Sequence, residues 1–185
     1  MPTPGNNSGQ SFSGTTILAL RHNHETVVAG DGQVTLETMV IKHTARKVRR
    51  IYNEAIVVGV AGATADALNL SERLESKLER YNGNLTRAAV ELARDWRTDK
   101  YLRRLEALMV AVDKERMYLL SGNGDVIEPD EGVISIGSGS MAAQAAAKAL
   151  MAHSSLDAAA IAGEAMNIAA SFCIYTNSQV IIEKL

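Results

Sequence analysis

The stretch Ser13-Gly14-Thr15-Thr16-Ile17-Leu18-Ala19-Leu20 is where a polar leader gives way to an apolar run headed by two threonines. Residues 1–14 are rich in Pro, Gly, Asn and Ser and carry too little apolar surface to order themselves, the composition of a disordered leader or of a removable propeptide. The folded domain is then expected over residues 15–185. A threonine hydroxyl is a weak nucleophile until a base takes its proton, and one solution uses the residue's own α-amino group. That amine titrates near pH ~7.7–8.0, so a useful fraction is neutral at physiological pH. Inside a chain it is an amide and no base at all. Gly14, lacking Cβ, lets the backbone bend enough for the Thr15 hydroxyl to attack the carbonyl just behind it. The same residues would equally serve to open a strand, so partners further along the chain decide between the two.

Moving outward from that stretch, residues 15–21 and 26–30 are β-branched and apolar, and His22-Asn23-His24-Glu25 has the polarity of a hairpin turn. A hairpin folds the chain back, so Asp31, just past the second strand, is expected beside Thr15. The densest basic run, Lys42 to Tyr52, has no neighbouring aromatic platform. It reads as a solvated strand face with one lysine turned inward, not as a nucleic-acid site. Ala55 to Ala61 is a continuous apolar run, the mark of a strand buried on both faces. A strand-to-helix turn follows, with Thr64 as expected N-cap. Ala67, Leu70, Leu74, Leu78 and Tyr81 then recur at helical spacing up to Asn82-Gly83. A second helix is expected from about Thr86, with Trp96 on its inner face as core.

Residues 107–112 and 117–121 read as a hairpin, with short strands at 126–127 and 133–136. Alanine-rich helices over about 141–151 and 157–169 come next, and a β segment at 180–182 ends the pattern. Runs of strands and runs of helices, not strict alternation, predict an α+β fold with antiparallel sheets and helices on the outer faces.

Composition narrows the chemistry. At 185 residues with 46% hydrophobic content, the chain suffices for one domain with a sizeable core. A net charge of -2 offers no general attraction to nucleic acid or an anionic membrane. The single cysteine, Cys173, excludes an intrachain disulfide and fits a reducing cytosol, and four scattered histidines form no Cys/His metal framework. The leader lacks the basic and apolar regions of a secretory signal, and no run reaches the roughly 18 apolar residues of a membrane span. Neither a Gly-x-x-x-x-Gly-Lys-Ser/Thr loop nor a His-Glu-x-x-His pair is present, and Ser138 and Ser140 lack the Gly-x-Ser-x-Gly spacing. What remains is a threonine at a processing point, an acid at the end of a hairpin, and a basic run.

Thr15-Thr16-Ile17, Ala29-Gly30-Asp31-Gly32-Gln33, Arg46-Lys47-Val48-Arg49-Arg50, Ala61-Gly62, Asp95-Trp96-Arg97, Ile136-Gly137-Ser138-Gly139 and Cys173-Ile174-Tyr175-Thr176-Asn177 together resemble the HslV family of proteasome-like peptidase subunits. The resemblance runs from Thr15 to the C-terminus with the motifs in order. It implies the four-layer α-β-β-α sandwich of N-terminal nucleophile hydrolases and a threonine endopeptidase of an ATP-dependent protease. Thr15 would be the nucleophile exposed by self-cleavage after Gly14, with Thr16 inside the first strand. Lys47 would be the active-site lysine and Asp31 the acid that orients it. The Gly62 N–H would form the oxyanion hole and Ser138 an accessory group near the threonine amine. The carbonyls of Ala170, Cys173 and Thr176 would hold a sodium ion, which prefers oxygen ligands. Relatives often carry glycine at the first of these, so the site requires backbone angles that suit alanine. By the same resemblance the chain binds no nucleotide, and an HslU-type AAA+ ring feeds unfolded polypeptide into two stacked hexamers of this cytoplasmic subunit. A small-molecule amidase with the same nucleophile, or a silent ring subunit that keeps its leader, would be the alternatives.

Overall fold

The computed structural model describes residues 12–185, and the expectation of a disordered leader lies, for residues 1–11, outside the described residues. Strands β2 (Thr16–His22) and β3 (Glu25–Asp31) form the expected hairpin. Its turn works because Asn23 (φ 49°) and His24 (φ 66°) both take left-handed angles, which match the twist of the flanking strands. β11 (Val133–Gly137) pairs with β2, and β12 (Val180–Lys184) pairs with β3, giving a four-stranded sheet in the order β11-β2-β3-β12. A second sheet contains β6 (Val48–Ile51), β7 (Ile56–Ala61), β8 (Leu108–Val112), β9 (Met117–Ser121) and β10 (Val126–Ile127), in the order β10-β9-β8-β7-β6. Every pairing in both sheets is antiparallel.

Strand alternation distributes the side chains into three cores. In β2, Ile17 and Ala19 face the space between the sheets with Val28, Val57, Val110 and Ile136. Leu18 and Leu20 point the other way, towards helices α3 (Ser140–His153) and α4 (Ala158–Phe172). Those helices meet the sheet through Ala143, Ala147, Ala162, Ala165 and Ala169, residues small enough to let backbones approach closely. On the opposite face α1 (Thr64–Arg80) and α2 (Leu85–Thr98) bury Leu70, Leu74, Leu78, Leu92 and Trp96 against the five-stranded sheet. Each such leucine contributes roughly 2 kcal/mol by burial. The layers are helices, sheet, sheet, helices, the predicted sandwich.

Some local expectations differ. Ala63, not Thr64, occupies the N-cap of α1, which has no side-chain cap. The second helix starts one residue early, at Leu85, because the Asn84 side chain accepts a hydrogen bond from the Arg87 N–H. The basic run does not form one strand. Its first residue closes β5 (Met39–Lys42), residues 43–47 form a connection, and β6 begins at Val48. A third, small sheet in the order β1 (Phe12–Ser13), β4 (Val34–Leu36), β5 was not expected, since its strands are short and carry little alternation of their own.

Candidate active site

The hairpin register pairs Ile17 with Gly30, which sets Asp31 across from Thr16 at the end of the four-stranded sheet. Asp31 is fully buried and accepts three hydrogen bonds, from Thr16 N (2.7 Å), Gln33 N (2.9 Å) and Lys47 Nζ (2.8 Å). Three donors fix a carboxylate that has no water to solvate it. The Lys47 side chain is 8% exposed. Burial pulls its pKa below the ordinary lysine range, and the charge and hydrogen bond of Asp31 oppose that fall. The ammonium also donates to the Gly14 carbonyl oxygen at 2.5 Å.

Around Thr15 the contacts converge on that same carbonyl. Thr15 Oγ1 donates to Gly14 O at 2.8 Å. The Thr15 carbonyl in turn accepts from Ser138 N (2.8 Å) and from Ser138 Oγ (3.3 Å), so the turn after β11 holds Thr15 from its far side. Gly14 has φ 105°, and a Cβ there would lie 3.0 Å from Tyr175 O and 3.1 Å from Thr35 Oγ1. Only glycine suits that position. Thr16 is differently engaged. Its hydroxyl lies 2.6 Å from Thr176 Oγ1 and accepts from Gly139 N at 3.0 Å, and the residue is fully buried. Of the two threonines, only Thr15 keeps its hydroxyl at a cleft.

Gly62 borders two clefts that Thr15 also borders. An added Cβ at Gly62 would meet Ala107 Cβ at 2.8 Å. Thr15, Asp31, Lys47, Gly62 and Ser138 are thus brought to one end of the sandwich. Ala170 and Cys173 lie at the end of α4, where the last helical carbonyls lack intrahelical partners. Ala170 is within the helix and has angles that alanine adopts freely, so the substitution for glycine leaves a carbonyl ligand possible there. The Cys173 carbonyl already accepts Thr176 N at 3.1 Å, leaving it one lone pair. Among the described residues no group of three or more His, Cys, Asp or Glu side chains could hold a metal ion.

Several positioning residues were not legible in the sequence. Gln33 donates through Nε2 to Ile174 O (2.7 Å) and Thr35 Oγ1 (3.1 Å), and Asn177 bridges Gly32 N (3.1 Å) and His43 O (3.0 Å). They tie the loop after β3 to the segment after α4. Both belong to runs quoted above for the family resemblance, but nothing in those runs tells which distant atoms they bind.

This fold, with a threonine, a buried lysine and an aspartate at one end, accompanies a match of residues 11–185 to the family model described as Proteasome subunit, and the chain belongs to that family. More particularly, it is 58% identical over 176 residues to the ATP-dependent protease subunit HslV of Sulfurihydrogenibium sp. (strain YO3AOP1), covering 95% of this chain and 99% of that protein. The HslV subunit of Aquifex aeolicus (strain VF5) is 58% identical over 171 residues, 92% of this chain and 97% of that one. The crystal structure of HslV from Trypanosoma brucei superposes with a TM-score of 0.88 at 46% identity, covering 92% of this chain and 98% of that one. The chain is accordingly a threonine-type protease subunit. No helix among the described residues is long and apolar enough to cross a membrane.

Proposed function

We propose that Thr15 is the nucleophile of this protease subunit and that cleavage of the chain's own Gly14–Thr15 bond exposes it. One observation carries the proposal: Lys47 Nζ bonds at once to Asp31 and to the Gly14 carbonyl, which the Thr15 hydroxyl also reaches. The cation polarises the carbonyl and stabilises the negative oxygen that forms when Oγ1 adds to its carbon. Collapse breaks the C–N bond, the Thr15 nitrogen leaves protonated, and an ester joins Gly14 to Oγ1. Water then hydrolyses the ester, leaving a Gly14 carboxylate and a free Thr15.

In the processed subunit the Thr15 α-amine takes the hydroxyl proton as Oγ1 attacks a substrate carbonyl, and the nearby Lys47 ammonium lowers the pKa of that amine. The Gly62 N–H faces the developing oxyanion, and Ser138 holds the Thr15 main chain. An acyl-enzyme ester forms, the new amine departs, and water releases the acid. Ser13 and Phe12 pair with Thr35 and Leu36 before cleavage, so an edge of β4 already accepts an extended peptide through its backbone. Recognition of that kind is tolerant of sequence.

An HslU-type ATPase ring delivers unfolded polypeptide, since the chain has no nucleotide loop, and the subunit works in two stacked hexamers in the cytoplasm, where enclosure confines the peptidase. The carbonyls of Ala170, Cys173 and Thr176 would hold sodium, whose charge would brace the loop that carries Thr176 against Thr16. Intact-mass measurement tests the central reading. The purified protein should have lost residues 1–14, and Thr15→Ala should retain them. Active protein with its leader intact would refute it.

A further inference from the structure

The cleft beside Thr15 extends between the five-stranded sheet and the first half of α1, with Val58, Val60 and Ala67 as apolar walls. Its charged lining is entirely cationic: Arg46, Lys47 and Arg49. Lys47 is neutralised by Asp31 at 2.8 Å. Arg49 is only partly exposed, yet among the described residues its side chain makes no hydrogen bond and no ion pair. Arg50, next along the strand, pairs with Glu183 at 2.7 Å, and Arg46, likewise without a partner among the described residues, is exposed and so more strongly screened by solvent. The register places Arg49 opposite Val58, a cleft wall, so its side chain lies on the helix-facing side of the sheet. Thr15, Lys47 and Arg49 line this one cleft, so a side chain entering it from a substrate carbonyl held at Thr15 approaches the Arg49 guanidinium.

We infer that Arg49 determines specificity in this cleft: it favours substrates whose side chain on the acyl side of the scissile bond ends in a negative charge and rejects those ending in a positive one. The inference rests on the proposed role of Thr15. An unpaired guanidinium in a cleft with apolar walls is a fixed positive potential, and at a separation of about 6–7 Å in a partly screened site it favours an anionic over a cationic side chain by roughly tenfold or more. Apolar side chains of similar length are unaffected by the charge and provide the internal standard.

The test uses the processed protein with its ATPase and three fluorogenic tripeptide amides that differ only in the residue before the fluorophore: norleucine, glutamate and lysine. The intact protein should cleave the glutamate peptide at least tenfold faster than the lysine peptide, measured as kcat/KM. Raising the salt concentration should narrow that ratio. Arg49→Met should bring it close to one, Arg49→Lys should preserve it, and Arg49→Glu should invert it. A merely structural role would slow all three peptides together and leave the ratio alone. A ratio unchanged within twofold in Arg49→Met, or insensitive to salt in the intact protein, overturns the inference while the peptidase reading stands. Failure of Thr15-dependent cleavage with all three peptides overturns both.

Discussion

Replacing Asp31 with asparagine keeps the shape of the side chain and removes the charge opposite Lys47. The lysine, 8% exposed and 2.8 Å from its partner, would be left as a buried cation without a counterion. Breaking a buried pair from one side costs about 3–5 kcal/mol. Asparagine retains one acceptor oxygen for Thr16 N, so about 3 kcal/mol is expected. For a domain of this size that lowers Tm by about 6–12 °C. The loss should depend on pH in a definite direction. The folded-state pKa of Lys47 already lies below its unfolded value of 10.5, and removing Asp31 takes away the two influences that raise it. The native state then binds fewer protons than the unfolded state, so stability rises as pH climbs from the lowered folded pKa towards 10.5. Asp31→Asn should therefore lose least at alkaline pH, where the lysine escapes its penalty by losing its proton. Thermal unfolding at fixed protein concentration, across pH, measures this. Asp31→Asn/Lys47→Met should be more stable than Asp31→Asn alone, with a coupling energy above about 1 kcal/mol, while remaining unprocessed. A single mutant melting within 2 °C of the parent (about 1 kcal/mol or less for a domain of this size), or double-mutant effects that simply add, would refute the paired-charge account.

Gly14→Ala should slow loss of the leader by roughly tenfold or more, because alanine at φ 105° is strained by about 1–2 kcal/mol and its Cβ would crowd Tyr175 O. Gel or mass time courses on freshly made protein follow it. Thr15→Ser should still process, more slowly, since a hydroxyl remains, and a complete block would show that the threonine methyl is required for positioning. Thr16→Val should cost about 1–3 kcal/mol by leaving Gly139 N and the Thr176 hydroxyl without their partner, yet the leader should still be lost. Retention of the leader in a folded Thr16→Val protein would move the nucleophile from Thr15 to Thr16. In the processed enzyme, kcat/KM should rise with pH as the Thr15 amine loses its proton and fall at a lower pH than an ordinary lysine would dictate, because burial depresses Lys47.

Local pattern carried much of the architecture. The β-branched and apolar run after Thr15, the turn at Asn23-His24 and the helical spacing of Leu70, Leu74 and Leu78 are properties of short segments, and each reads the same in the chain as in the fold. The hairpin alone brought Asp31 towards the start of the first strand. Capping was less legible: Thr64 has the right chemistry for an N-cap, but the chain turns into α1 one residue earlier, at Ala63. Sequence pattern determined the strands of the two large sheets, the helices, their order and the nearness of Asp31 to Thr15, because those follow from local residue runs and a short turn, whereas the small sheet of β1, β4 and β5 did not show in it. Tertiary structure decided which cation of the basic run faces inward. At Gly30 the absent side chain leaves room for Val48, whose Cγ2 would sit 2.6 Å from an added Cβ, and that packing between the two sheets turns Lys47 onto Asp31. It also decided that Thr16 is occupied by Thr176 from 160 residues away, and that Arg49 stands unpaired in the cleft. Such choices depend on distant segments filling the same space, and no local run of residues encodes them.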